Sequence, residues 1–279
     1  MKVVTGIVAR VSCSPWVRSC YRWTQRVPAL RGISHAVMCL ALPFGHKVWA
    51  QVHAGAAKGL WLEIDPRGSK SYLEGYYELA IQDALQKYLH EGDVFYDIGA
   101  HVGYFSMIAA RMIGLTGQVE AFEAAPENAA AMEQHIRRNG FTQIRINPVA
   151  VWSSCGSVSF RSPLRGGMAG TAVLPSGDSV LSPLDIDVKA ITLDSLLNDH
   201  RPPTLIKMDV EGAEAEVLLG ANKLFEKHRP ALICEVHTPE AATSVQEWLA
   251  SKDYTFEWIT KTKEETLPRH LVADPRGRP

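Results

Sequence analysis

Four carboxylates, Asp97, Glu123, Asp209 and Glu235, each stand at the end of a short apolar run. A carboxylate in that position can hold a cation, accept bonds from hydroxyls or move a proton. The first of them belongs to the stretch DVFYDIGAHVGYFS, Asp93 to Ser106, where Gly99 and Gly103 follow Asp97 and a helix-like pattern then begins. Strand, glycine turn and helix are the parts of a nucleotide-binding loop. A dinucleotide site, however, needs G-x-G-x-x-G so that backbone can approach a pyrophosphate, and here the spacing is D-x-G-x-x-x-G. A carboxylate in that turn repels a diphosphate and favours a ligand with cationic groups and no phosphate. S-adenosylmethionine has an ammonium, a sulfonium and no phosphate. Glu123 lies about twenty residues beyond the glycines, where an acid can accept both ribose hydroxyls. Such charge-assisted bonds contribute roughly 1.5–3 kcal/mol each.

A second set of groups could handle a proton: Asp209 and Glu211 after one apolar run, Glu235 and His237 after another. An alcohol is a poor nucleophile at neutral pH, so a base that takes its proton helps, and His237 has the appropriate unperturbed range. The competing reading makes Asp209 a helix N-cap, with Glu211 and Glu214 favourable near the positive helix end, and His237 a loop histidine before Pro239. Asp209, Glu235 and His237 also offer ligand types for a divalent metal, but their spacing is no metal signature, so no metal is expected. Lys207 and Glu214 read as structural.

Positioning these residues requires a regular scaffold. The pattern predicts strands at Val94–Ile98, Gln118–Phe122, Ile144–Trp152, Leu205–Val210 and Ala231–Val236. Helices are expected at Tyr77–His90, Val102–Ile113, Pro126–Asn139, Ala213–Lys227 and Pro239–Ala250. This alternation implies right-handed crossovers and a largely parallel sheet covered on both faces. Strand-like pieces at Ser157–Phe160 and Val188–Thr192 flank a Gly, Ser and Pro-rich loop, Arg161 to Pro183, which reads either as a lid over substrate or as a surface loop. Tyr254–Ile259 and Arg269–Ala273 suggest a final antiparallel pair.

The five cysteines form no C-x-x-C pair, so neither a zinc cage nor a disulfide framework is indicated, and a cytoplasmic location is the default. The net charge of −1 gives no global attraction to nucleic acid, and none is expected as a partner. Charge is uneven along the chain, because no Asp or Glu precedes Glu63 while Lys2, Arg10, Arg18, Arg22, Arg26 and Arg31 do. That leader reads as a weak membrane-surface contact or as a loosely ordered extension. No segment is long and apolar enough to span a bilayer.

Five blocks in order, DVFYDIGAHVGYFS, VEAFEAAPEN, ITLDSL, LIKMDVEGAEAEVLLG and PALICEVH, resemble the FkbM-type family of S-adenosylmethionine-dependent methyltransferases. The resemblance covers about Gly75 to Pro275. It implies an α/β, Rossmann-like class I methyltransferase fold with a mostly parallel seven-stranded sheet, helices on both faces and an N-terminal extension. The expected organisation is an extension over 1–74, a methyltransferase domain over 75–275 and a disordered tail over 276–279. The expected activity is O-methylation of a hydroxyl on a sugar, glycan or natural product. Carried over by position, Asp97, Gly99 and Gly103 surround the methionine part of the cofactor and Glu123 holds the ribose. Glu78 matches an acidic family position near the amino acid end. His237, Asp209 and Glu235 then border the methyl group. Ala124-Ala125-Pro126 departs from the family, which more often has Pro directly after the Glu. Two other readings stand beside this one: a nicotinamide-dependent oxidoreductase, and a cofactor-binding protein without turnover.

Overall fold

The computed structural model describes residues 11–27, 30–31, 33–34, 47–65, 68–161, 185–260 and 267–276. The chain divides into two compact units, Met1–Leu79 and Ala80–Pro279. In the first, helix α1 (Pro15–Arg26) is opened by Ser14, whose side chain accepts from the Val17 N–H, and by Pro15, whose fixed φ suits a first turn. The basic leader is helical over this stretch. Strands β1 (Val48–Gln51) and β2 (Trp61–Ile64) form an antiparallel pair, and the short α2 (Lys70–Glu74) ends at Gly75 with φ 81°.

Helix α3 (Leu79–Tyr88) starts at the last residue of the first unit, and the second unit then alternates: β3 (Val94–Ile98), α4 (Tyr104–Ile113), β4 (Gln118–Phe122), α5 (Pro126–Asn139) and β5 (Ile144–Asn147). The run expected to continue from Ile144 to Trp152 is cut, because Pro148 has no N–H to donate to a ladder. Its remainder, β6 (Ala150–Val151), joins β7 (Gly156–Arg161) and β8 (Asp185–Ile191) in a small three-stranded sheet. Arg161 is thus a strand residue, and the rest of the loop read as a lid lies outside the described residues. The alternation resumes with β9 (Leu205–Met208), α6 (Glu214–Leu219), α7 (Asn222–His228), β10 (Ala231–Val236), α8 (Pro239–Ser251), β11 (Tyr254–Trp258) and β12 (Arg269–Pro275). The single helix expected over Ala213–Lys227 is broken at Gly220. A Cβ there would lie 2.1 Å from the Trp152 carbonyl oxygen, so the backbones pass too closely for any side chain.

The main sheet has the order β11-β12-β10-β9-β3-β4-β5, and β12 alone runs against the other six. Counted within the sheet this is 3-2-1-4-5-7-6, a doubly wound α/β sheet with one antiparallel strand inserted near its edge. This is the class I methyltransferase architecture that the family resemblance implies. Helices cover both faces. Val94, Tyr96 and Ile98 pack in one core with Val217, Phe225, Val245 and Leu249, whereas Asp97 turns the other way and meets Ser106 of α4. The chain reverses direction across the sheet between β3 and β9. At such a switch point the crossovers diverge and leave a crevice beyond the strand ends.

Candidate active site

Asp97, on β3, is buried in register with Lys207 on β9. Lys207 Nζ lies 3.4 Å from Asp97 Oδ1, donates to the Gly99 carbonyl at 3.2 Å and sits 3.5 Å from Asp209 Oδ2. The Ser106 hydroxyl donates to Asp97 Oδ2 at 2.6 Å. Asp97 therefore sits beneath the glycine turn, tied to the strand and helix on either side of it.

The turn itself is held against β4. Gly99 and Ala100 both donate N–H bonds to the Phe122 carbonyl. Gly99 has φ 73°, and a Cβ there would lie 1.8 Å from the Asp209 carbonyl oxygen, so β9 leaves room only for glycine. Gly103, φ 80°, caps α4, where a Cβ would meet Met132 Cγ at 2.7 Å. His101 is also left-handed, φ 52°, and its N–H donates to Glu123 Oε2 at 2.7 Å. Glu123 Oε1 accepts from the Ala125 N–H at 2.8 Å. Burial pushes the Glu123 carboxyl up, and the bonds from Ala125, His101 and Asn128 oppose that. Glu123 thus braces the turn, with carboxylate lone pairs to spare for a ligand. Glu78, expected within a helix, instead precedes α3 with φ 43° and belongs to the first unit.

The groups expected to handle protons come together. His237 follows β10 directly, because Thr238 caps α8 by accepting from the Ala241 N–H and Pro239 occupies its first turn. His237 Nδ1 is 2.6 Å from Glu214 Oε1, and its Nε2 faces Glu211 at 3.5 Å, Asp209 at 3.7 Å and Glu235 at 3.8 Å. Burial disfavours the charged imidazole, but the Glu214 hydrogen bond and the charges of Glu235, Glu214 and Asp209 outweigh it, and the pKa is raised to about 9. Burial likewise pushes Glu235 up, yet bonding and charge from His270, and the charge of His237, bring it down to about 2. His270 Nε2 lies 3.6 Å from Glu235 Oε2. Asp209 is not a helix cap, since α6 begins five residues later with Ala213 before it. Donor atoms of Asp209, Glu211 and His237 all fall within 4.8 Å of one another, a set of ligand types that can accept a divalent cation.

Glu214 and His270 carry parts of this site that their sequence positions do not advertise. Glu214 sits in the first turn of a helix, where any acid is favourable, and His270 lies on the last strand, far from Glu235 in sequence.

The Methyltransferase FkbM domain matches residues 97–257, more than half of the chain. The chain belongs to the FkbM methyltransferase family. The match begins at Asp97 and contains every residue of the glycine turn and of the His237 cluster. Among similar proteins, the hexuronic acid methyltransferase AglP of Haloferax volcanii is 26% identical over 74% of this chain and 77% of its own length. The 31-O-demethyl-FK506 methyltransferase FkbM of Streptomyces tacrolimicus is 27% identical over 75% of this chain and 85% of its own. A crystal structure of methyltransferase FkbM from Methylobacillus flagellatus aligns with a TM-score of 0.49 at 16% identity, over 70% of this chain and 53% of that one. The chain thus spans about half the length of that solved FkbM protein.

Proposed function

We propose that this FkbM methyltransferase uses S-adenosylmethionine to methylate a hydroxyl oxygen of a sugar, glycan or natural-product acceptor. The observation that carries this reading is the convergence of Asp209, Glu211 and Glu235 on His237 Nε2 at the ends of β9 and β10, beside the Gly99 turn. A crevice rimmed by these carboxylates and by Glu123 suits a cationic ligand and opposes a diphosphate. The similar proteins point the same way, one being named for a sugar acid and another for an O-demethyl compound.

Gly99, Gly103 and Glu123 would hold the cofactor, the glycines by close backbone approach and Glu123 by accepting hydroxyls. Asp97 acts from beneath, through Lys207 and the turn. When bound, S-adenosylmethionine supplies a methyl group already activated by its sulfonium. The chain's own task is then to align the acceptor and remove its proton. His237 Nε2 takes that proton while Glu214 holds Nδ1. At neutral pH a group with a pKa of about 9 is mostly protonated. A cationic ligand beside the same carboxylates competes with the imidazolium for them and returns His237 to its proton-accepting form.

Calorimetric titration with S-adenosylhomocysteine and with NAD tests the cofactor. Micromolar binding of the first and none of the second is expected, and the reverse overturns the reading. Mass spectrometry of candidate acceptors then looks for the gain of one methylene. Acceptors that gain it on nitrogen or carbon would remove the O-methyl assignment.

A further inference from the structure

Methyl transfer leaves a surface of the first unit unused. On α1, Cys13 before the helix and Arg18 within it are buried, while Trp16 is 75% exposed, Trp23 is 60% exposed and Cys20 is exposed between them. Positions 16, 20 and 23 follow the i, i+4, i+7 spacing of one helix face, so the two indoles form a single outward stripe. Arg26, also exposed, closes the same face. Indoles are large apolar bodies with one polar N–H, suited to a boundary between water and hydrocarbon.

The electrostatics of this segment are distinct from the rest of the chain. The first 62 residues contain eight Lys and Arg and no Asp or Glu, a net charge of +8. The remaining residues hold the other 21 cations and all 30 acids, a net charge of −9. A segment that is both uniformly cationic and aromatic on one helix face fits an anionic lipid surface. The indoles enter the headgroup boundary and the exposed Arg26 guanidinium faces phosphate. Among the described residues no helix is long and apolar enough to cross a membrane, so α1 would lie in the surface plane.

We infer that α1 is an interfacial helix that seats Trp16 and Trp23 in an anionic membrane surface. An acidic protein would satisfy the charge but would need preformed slots for two indoles seven residues apart, whereas a bilayer accepts them without any.

Cosedimentation of the full chain with vesicles tests this, using phosphatidylcholine alone and phosphatidylcholine mixed with phosphatidylglycerol. The expected result is binding to the mixed vesicles only, weakened by salt and reduced about tenfold or more in Trp16→Ser/Trp23→Ser. Both side chains are mostly in water, so the variant should keep the parent's thermal midpoint. Brominated lipid should quench tryptophan emission in the parent and not in the variant. Three outcomes overturn the proposal: no binding to the mixed vesicles at low salt, equal binding by the variant, or equal binding to neutral vesicles. A concentration-dependent dimer that the double substitution abolishes, without vesicle binding, would assign the stripe to a second copy of this chain instead. Binding of S-adenosylhomocysteine is read separately, so failure here leaves the methyltransferase reading standing.

Discussion

Glu214 decides which nitrogen of His237 is offered to the neighbouring carboxylates. Its buried carboxylate takes Nδ1–H, which leaves Nε2 among Asp209, Glu211 and Glu235. Glu214→Gln keeps the shape and removes a charge, so the His237 pKa should fall from about 9 toward its ordinary range, as followed by NMR titration of the ring. His237→Asn should lower turnover by about 10²–10⁴ while leaving S-adenosylhomocysteine affinity nearly unchanged. Full activity in that variant would remove His237 as the base. The raised pKa also affects stability. A group whose folded pKa exceeds its unfolded one stabilises the fold below the unfolded value, near 6.5, and loses that contribution as pH rises through about 9. Urea midpoints of parent and His237→Asn should therefore differ at pH 6 and converge by about pH 10. Asp97→Asn leaves Lys207 buried without its closest carboxylate and should cost about 3 kcal/mol in denaturant unfolding. The spacing of Asp97, Gly99, Gly103 and Glu123 was legible because a turn is local chemistry. The Asp97–Lys207 pairing was not, since it depends on β3 lying beside β9 in one particular register.

At the scale of elements, close backbone approaches account for what sequence pattern recovered and what it missed. Gly99 is readable as a turn, but the reason no other residue fits is the Asp209 carbonyl just beyond the end of β9, a segment distant in sequence. Gly99→Ala should displace the end of β9 and weaken S-adenosylhomocysteine binding at least as strongly as it lowers stability. The left-handed strain alone costs on the order of 1–3 kcal/mol. Calorimetry of a variant that still unfolds cooperatively checks this, and unchanged affinity would count against the turn as the cofactor's seat. The break between α6 and α7 has the same cause at Gly220, against Trp152, and helical periodicity runs through it unmarked. Pro148 and the Ser14-Pro15 start of α1 were both visible as residues. Their effects were hidden because one sits inside a longer apolar run and the other inside a leader whose composition shows mainly its charge.

For the molecule as a whole, strand order brings Asp97, Gly99, Glu123, Asp209, Glu235 and His237 to the same end of one sheet. The alternation of strands and helices implied that sheet, while the order within it came from which helices pack on which face. A ligand held across the switch point joins both halves of the sheet and should stabilise them together. At about 100 times its dissociation constant, S-adenosylhomocysteine should add about 2.7 kcal/mol. That corresponds to a rise of roughly 5 °C or more in the thermal midpoint, measured by calorimetry. NAD at the same concentration should produce none.

The inserted position of β12 also bears on how the protein is made. Among the described residues, β11 pairs in the main sheet with β12 alone, which lies between it and β10. A chain emerging from the ribosome thus carries β11 as an orphan, and β10 as an open edge, until residue 275 has been translated. Unpaired edges recruit other chains. Between synthesis of β10 and of β12 a nascent chain therefore presents such an edge.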